Sequence, residues 1–321
     1  MKHDLKITLL LLTFFLTAQI IGLLLLSLSS QQEINIINNQ QIINVSYEET
    51  AMGERPQFTN DYGPLVYLMI GVAVGTLIIF ALMKVKFGGK LWKYWYFLAA
   101  GTAITVSLGV IINSSIAIIT GFLLTFLKIK KPTFWIHNIT EILMYAGIGL
   151  LFAPLFTVIW ASVLLILISI YDMVAVWKSK HMISLAKFTI KNKLFAGLMI
   201  NYKQTKNKTK ILFEEKKDKK ILIEKISKPK KQLGIKKAIL GGGDVVFPLI
   251  FTGAVFTELL QLGNTKLIAF LASLIIIITT TIALYLLFYL GKKNKFYPAM
   301  PFVSIGCFIG YLPVSFLFIL F

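Results

Sequence analysis

The sequence predicts an all-α polytopic membrane protein of nine transmembrane helices. Three observations carry that reading. Hydrophobic residues make up 57% of the 321 and the mean hydropathy is +0.78, above the roughly 45–50% apolar share of soluble domains. The apolar residues are gathered into runs of about 20, the length that crosses a bilayer as a helix. The lysines behind the net charge of +19 sit between those runs, and loops of that kind stay on the cytoplasmic side. No aromatic or arginine-rich recognition pattern accompanies them, so the charge points to anionic lipid and not to nucleic acid. Cys307 stands alone in an apolar run, which excludes an internal disulfide. His3, His137 and His181 lie far apart and form no H-E-x-x-H pair, so a zinc protease is excluded and no metal or cofactor is implied.

In chain order, Ile7 to Leu28 is a first span, longer than the 7–15 residues of a signal-peptide core and preceded by Lys2 and Lys6. Ser29 to Gly63 is polar and carries Glu33, Glu48, Glu49, Glu54 and Asp61 against Arg55, as an outer loop would. Pro64 to Met83 is the second span, followed by Lys84, Lys86, Lys90 and Lys93. Tyr94 to Ile112 is the third, and Ile116 to Leu127 a short fourth closed by Lys128, Lys130 and Lys131. Trp135 to Phe152 and Phe156 to Trp177 are two spans joined at Ala153-Pro154, since together they are too long for one helix. Lys178 to Lys237 holds 19 lysines against four acids and reads as a cytoplasmic loop. Within it Met182 to Ile190 has the pattern of an interfacial amphipathic helix, and from Lys203 onward a mobile, solvated loop is expected. Ala238 to Phe256, Leu267 to Leu290 and Pro298 to Phe318 complete the nine. Counting from an inside N-terminus places every lysine-rich loop in the cytoplasm and the C-terminus outside. Three segments follow: 1–177 with six spans, the loop 178–237, and 238–321 with three spans.

Two carboxylates stand out inside apolar runs, Asp172 after Tyr171 and Asp244 after Gly241-Gly242-Gly243. A charge at membrane depth is expensive and marks function. At 1.5 Å per residue both lie roughly 8–9 Å below the cytoplasmic edge of the hydrocarbon, on antiparallel neighbouring spans. Two carboxyls held together in a low-dielectric site cannot both ionise and so share a proton, one acting as base toward water while the other acts as acid toward a carbonyl oxygen. That is peptide hydrolysis without metal. The glycines are expected to let the seventh span approach the sixth. Pro298-Ala299-Met300-Pro301, at the start of the last span, breaks the helical hydrogen-bond pattern beside this site.

Tyr171-Asp172, Gly241-x-Gly243-Asp244 and Pro298-Ala299, in that order on three spans, resemble the motifs of the presenilin and signal peptide peptidase family of intramembrane aspartyl proteases. The resemblance implies a presenilin-like fold, Asp172 and Asp244 as the catalytic residues, and Pro298, Ala299, Met300 and Pro301 as shaping the site and touching substrate; Met300 stands where the family pattern has Leu. Tyr171, Gly241, Gly242 and Gly243 are the supporting positions. The implied partners are transmembrane-segment substrates and the lipid bilayer, and no accessory subunit is specified. The charge-derived orientation, and the absence of a large outer domain, are similar to presenilin-type prokaryotic members. Two other readings compete: a prepilin or preflagellin peptidase, which shares Gly-x-Gly-Asp but lacks the Pro-Ala motif in a terminal span, and a cation or proton transporter or channel using the paired acids.

A spanning substrate must be unwound before water reaches its peptide bonds, and the exposed backbone groups then need partners. Ile235 to Leu240, β-branched and apolar ahead of the glycines, is expected to supply them by strand addition.

Overall fold

The computed structural model describes residues 5–37, 40–178, 196–208, 211–212, 225–226, 230–291 and 297–318. Among them are nine α-helices: α1 (Leu5–Ser29), α2 (Gly63–Lys84), α3 (Gly88–Gly109), α4 (Ser114–Lys130), α5 (Phe134–Phe152), α6 (Val158–Met173), α7 (Gly243–Gln261), α8 (Lys266–Leu290) and α9 (Met300–Phe318). Seven are long and apolar enough to cross a membrane; α3 and the 17-residue α4 fall outside that set. The chain is therefore a multi-pass membrane protein. The joint at Ala153-Pro154 is a 3-10 turn, Ala153–Leu155, between α5 and α6. Helix starts follow side-chain chemistry: Asn113, Thr133, Thr157 and Thr265 each cap the helix they precede by accepting a backbone N–H of its first turn.

Helix α7 is the axis of the bundle, in contact with α1, α5, α6, α8 and α9. Between Val245 and Thr257 it carries no charged residue and is buried at nearly every position, the pattern of a helix enclosed by protein. Leu249 is its main anchor, 2% exposed, seated in a notch between Gly22 of α1 and Gly149 of α5. A methyl group at Gly149 would stand 2.6 Å from Leu249 Cδ2. Helix α2 is the opposite case, burying only Pro64, Leu65 and Leu68.

Two regions depart from the loops expected of them. The acidic stretch after α1 folds into a hairpin of β1 (Ser30–Ile37) and β2 (Gln40–Tyr47). It is tied to the C-terminal end of α7 by Gln32, whose amide donates to the carbonyls of Leu260 and Asn264, and by Tyr47 Oη, 2.5 Å from Thr257 Oγ1. Burial pushes the Tyr47 hydroxyl up to about 12.

The lysine-rich stretch holds β3 (Gly197–Lys208) and β6 (Lys230–Gly241), paired antiparallel from Gly197↔Gly241 to Lys208↔Lys230, with the short β4 (Ile211–Leu212) and β5 (Lys225–Ile226) beyond. Leu198 and Ile200 of β3, and Ala238 and Leu240 of β6, are all buried at every second position. That period-two pattern is a strand with one face in the core, and β3 packs on α1 and α5. The solvated loop expected from Lys203 is thus, where described, a hairpin, and Ile235 to Leu240 pairs with β3 of its own chain. The amphipathic segment Met182 to Ile190 lies outside the described residues.

Candidate active site

Asp172 lies in the last turn of α6 and is 6% exposed. Immediately after it the helix widens into a π-type turn, Val174–Lys178, a feature frequent at functional sites. Its Oδ2 accepts the backbone N–H of Met300 at 3.2 Å, and the N–H of Ala299 is directed to the same carboxyl. The sequence around α9 explains the selection. Proline has no N–H, so of the four residues Pro298 to Pro301 only Ala299 and Met300 can donate. A carboxylate from one helix thereby caps the positive end of another. One turn back on each helix, Ser169 Oγ lies 2.8 Å from Ser304 Oγ, and Ser304 also reaches the Leu165 carbonyl at 3.4 Å. The spacing 169/172 on α6 and 300/304 on α9 is one antiparallel helix face against another.

Asp244 is the second residue of α7, half-buried, in the first turn where the helix dipole favours a negative charge. Pro248 lacks the N–H that would bond its carbonyl within the helix. The glycines make room, though not for α6 as expected. A Cβ on Gly241 would stand 3.2 Å from Asp244 Oδ2, and one on Gly242 would stand 2.9 Å from Cε1 and 3.0 Å from Oη of Tyr145, a residue of α5. Gly243 faces Phe247 of its own helix.

The turn is anchored by residues that motif reading passed over. Gln19 of α1, buried, donates from Nε2 to the Val245 carbonyl at 2.7 Å. On α5, Asn138 mimics a strand: its Oδ1 accepts the Met199 N–H at 3.0 Å and its Nδ2 donates to the Met199 carbonyl at 3.1 Å. His137 Nε2 lies 2.9 Å from the Gly197 carbonyl. These bonds occupy the outer edge of β3, whose inner edge holds β6, and β6 leads directly into Gly242 and Asp244. The signal was present in the sequence as polar side chains at four-residue spacing within an apolar run, His137, Glu141 and Tyr145. Glu141 is a further carboxylate within an apolar run, outside the motifs that hold Asp172 and Asp244.

Of the remaining expected positions, Pro298 and Met300 are buried and Ala299 and Pro301 half-buried at the start of α9, while Tyr171 is 39% exposed. Helices α6, α7 and α9 pack on one another. Asp244 follows directly on β6, and Asp172 meets the start of α9.

The family model described as signal-peptide peptidase, presenilin aspartyl protease matches residues 57–320. The chain belongs to the signal-peptide peptidase and presenilin aspartyl protease family. As a family member it is an intramembrane aspartyl protease, a hydrolase. Two solved structures of a presenilin family intramembrane aspartate protease, in C222 and P2 space groups, share its fold at 17% identity. The first covers 97% of this chain and 99% of that one with a TM-score of 0.60; the second covers 96% of each with a TM-score of 0.56. No curated protein sequence matches the chain. The presenilin and signal peptide peptidase assignment removes the transporter and prepilin-peptidase readings.

Proposed function

We propose that Asp172 and Asp244 are the catalytic pair of this protease, and that it cuts peptide bonds within transmembrane segments of membrane proteins or signal peptides. The observation that carries this reading is that each carboxyl meets the positive end of a helix, Asp172 at the start of α9 and Asp244 in the first turn of α7, where α6, α7 and α9 pack together. Two carboxyls in such a site share one proton. The ionised one takes a proton from water as the water attacks the scissile carbonyl carbon, and the protonated one donates to the carbonyl oxygen. Breakdown of the tetrahedral intermediate breaks the C–N bond and leaves a carboxyl and an amine.

The substrate, unwound near the site, pairs as a strand with the edge of β6 that β3 does not occupy, beside Pro298 to Pro301. All nine helices span the membrane, α3 and α4 among them. The lysine-rich loops support an orientation with the N-terminus and residues 178–237 in the cytoplasm and the C-terminus outside. The chain divides functionally into 1–177 with the first aspartate, the loop 178–237, and 238–321 with the second aspartate and Pro298-Ala299-Met300.

The test is incubation of the purified chain with a transmembrane peptide, with products read by mass. Cleavage within the apolar segment is expected, abolished in Asp172→Asn and in Asp244→Asn. Near wild-type turnover in either variant refutes the pair.

A further inference from the structure

Helix α5 carries His137, Glu141 and Tyr145 on one stripe. His137 holds β3; the other two have no part in the chemistry above. Glu141 is fully buried. Its Oε1 takes the Lys128 ammonium of α4 at 2.6 Å and the Tyr96 hydroxyl of α3 at 3.4 Å, and the ammonium lies 5.4 Å from the Tyr96 ring centre. Its Oε2 has no hydrogen-bond partner among the described residues.

One turn further along, Tyr145 is 1% exposed, and among the described residues its hydroxyl also lacks a partner in hydrogen-bond geometry. That hydroxyl stands close to the Glu141 carboxylate and within electrostatic reach of Asp244. The glycines of the turn explain how. Tyr145 fills the space a side chain at Gly242 would need, and the Asp244 carboxyl fills the space beside Gly241. The hydroxyl and the Asp244 carboxyl are thus both lodged against the Gly241-Gly242 turn.

We propose that Tyr145 is a positioning residue for Asp244, its hydroxyl donating to the Asp244 carboxyl in the reacting enzyme and fixing that group's orientation toward water. The inference rests on the assignment of Asp244 as catalytic. A buried tyrosine hydroxyl seeks an acceptor, and two carboxylates flank this one. Glu141 already receives Lys128 and Tyr96 on Oε1, which leaves its Oε2 as the acceptor that competes with Asp244 for this hydroxyl. Lys128 in turn neutralises Glu141 and lets the tyrosine turn away from it. The polar cluster between α3, α4 and α5 is then the support behind the turn that carries Asp244, built on packed helices and independent of the hairpin.

The test compares wild type with Tyr145→Phe, in the full-length chain in detergent, on a transmembrane peptide, reading kcat, KM and thermal stability. Phenylalanine keeps the ring beside Gly242 and removes a hydroxyl without a partner in hydrogen-bond geometry among the described residues, so the fold should be about as stable as before. The expected result is a kcat reduced about 10- to 150-fold, the loss of one hydrogen bond to a charged group, with KM within about twofold. An unchanged kcat overturns the inference, as does a parallel change in kcat and KM. A variant that loses stability also overturns it, because the hydroxyl would then be a structural partner. Asp244→Asn is run alongside. If it is active, the catalytic assignment fails; if it is inactive while Tyr145→Phe is normal, only the role of Tyr145 fails.

Discussion

Replacing Asn138 with leucine tests whether the path from α5 through β3 and β6 holds the Asp244 turn in place. Leucine has the same branched arrangement of side-chain heavy atoms as asparagine, and its apolar character suits a side chain that is fully buried. It removes both bonds to Met199, 3.0 Å to its N–H and 3.1 Å to its carbonyl. Neither backbone group can turn to β6, which lies on the other edge of β3. Each buried group left without a partner costs about 1–3 kcal/mol, so the docked hairpin loses about 2–6 kcal/mol relative to a detached one. The helices keep their own packing, so the loss is local. Amide hydrogen exchange reads it directly: residues 197–200 and 238–241 should lose protection by a factor of about 30 or more, using about 1.4 kcal/mol per tenfold, while α7 and α8 change little. In the same preparation kcat/KM on a transmembrane peptide should fall, because β6 is both the lead into Asp244 and the proposed docking edge for substrate. If exchange in both strands and kcat/KM stay at wild-type values, the hairpin is held by something other than Asn138 and the reasoning fails.

Leu249→Ala should destabilise the protein by about 2–5 kcal/mol in a denaturant titration, because α1 and α5 meet α7 at glycines that cannot close the gap. Lys128→Met should cost about 3–5 kcal/mol by stranding the Glu141 charge, and adding Glu141→Leu should recover most of it; a double variant as unstable as the single would refute the pairing argument. Tyr47 is held neutral by burial, with its folded value near 12 above the ordinary 10, so its contribution is intact below pH 10 and lost as pH rises toward 12. Stability measured across that window should fall more steeply in wild type than in Tyr47→Phe.

The membrane character, the approximate spans and the family were legible in the sequence, because each depends on residues close together in the chain. Partition into lipid follows the composition of about 20 consecutive residues, so the second span expected at Pro64 to Met83 appears as a helix over Gly63–Lys84. Caps such as Thr157 act within one turn and are equally local. The motifs around Asp172, Asp244 and Pro298 are short words and were readable as words. What those words touch was not readable. Asp172 meets the Met300 N–H across 128 residues of sequence, and Gln19 meets the Val245 carbonyl across 226. The lysine content of 203–237 hid a hairpin whose buried alternation lies at its base, at Leu198 and Ile200 of β3 and Ala238 and Leu240 of β6. Nor did Gly242 announce that its missing side chain makes room for Tyr145. Local composition decides what enters the membrane, whereas the partner of a buried polar atom depends on which helices pack side by side, and that is a property of the folded chain alone.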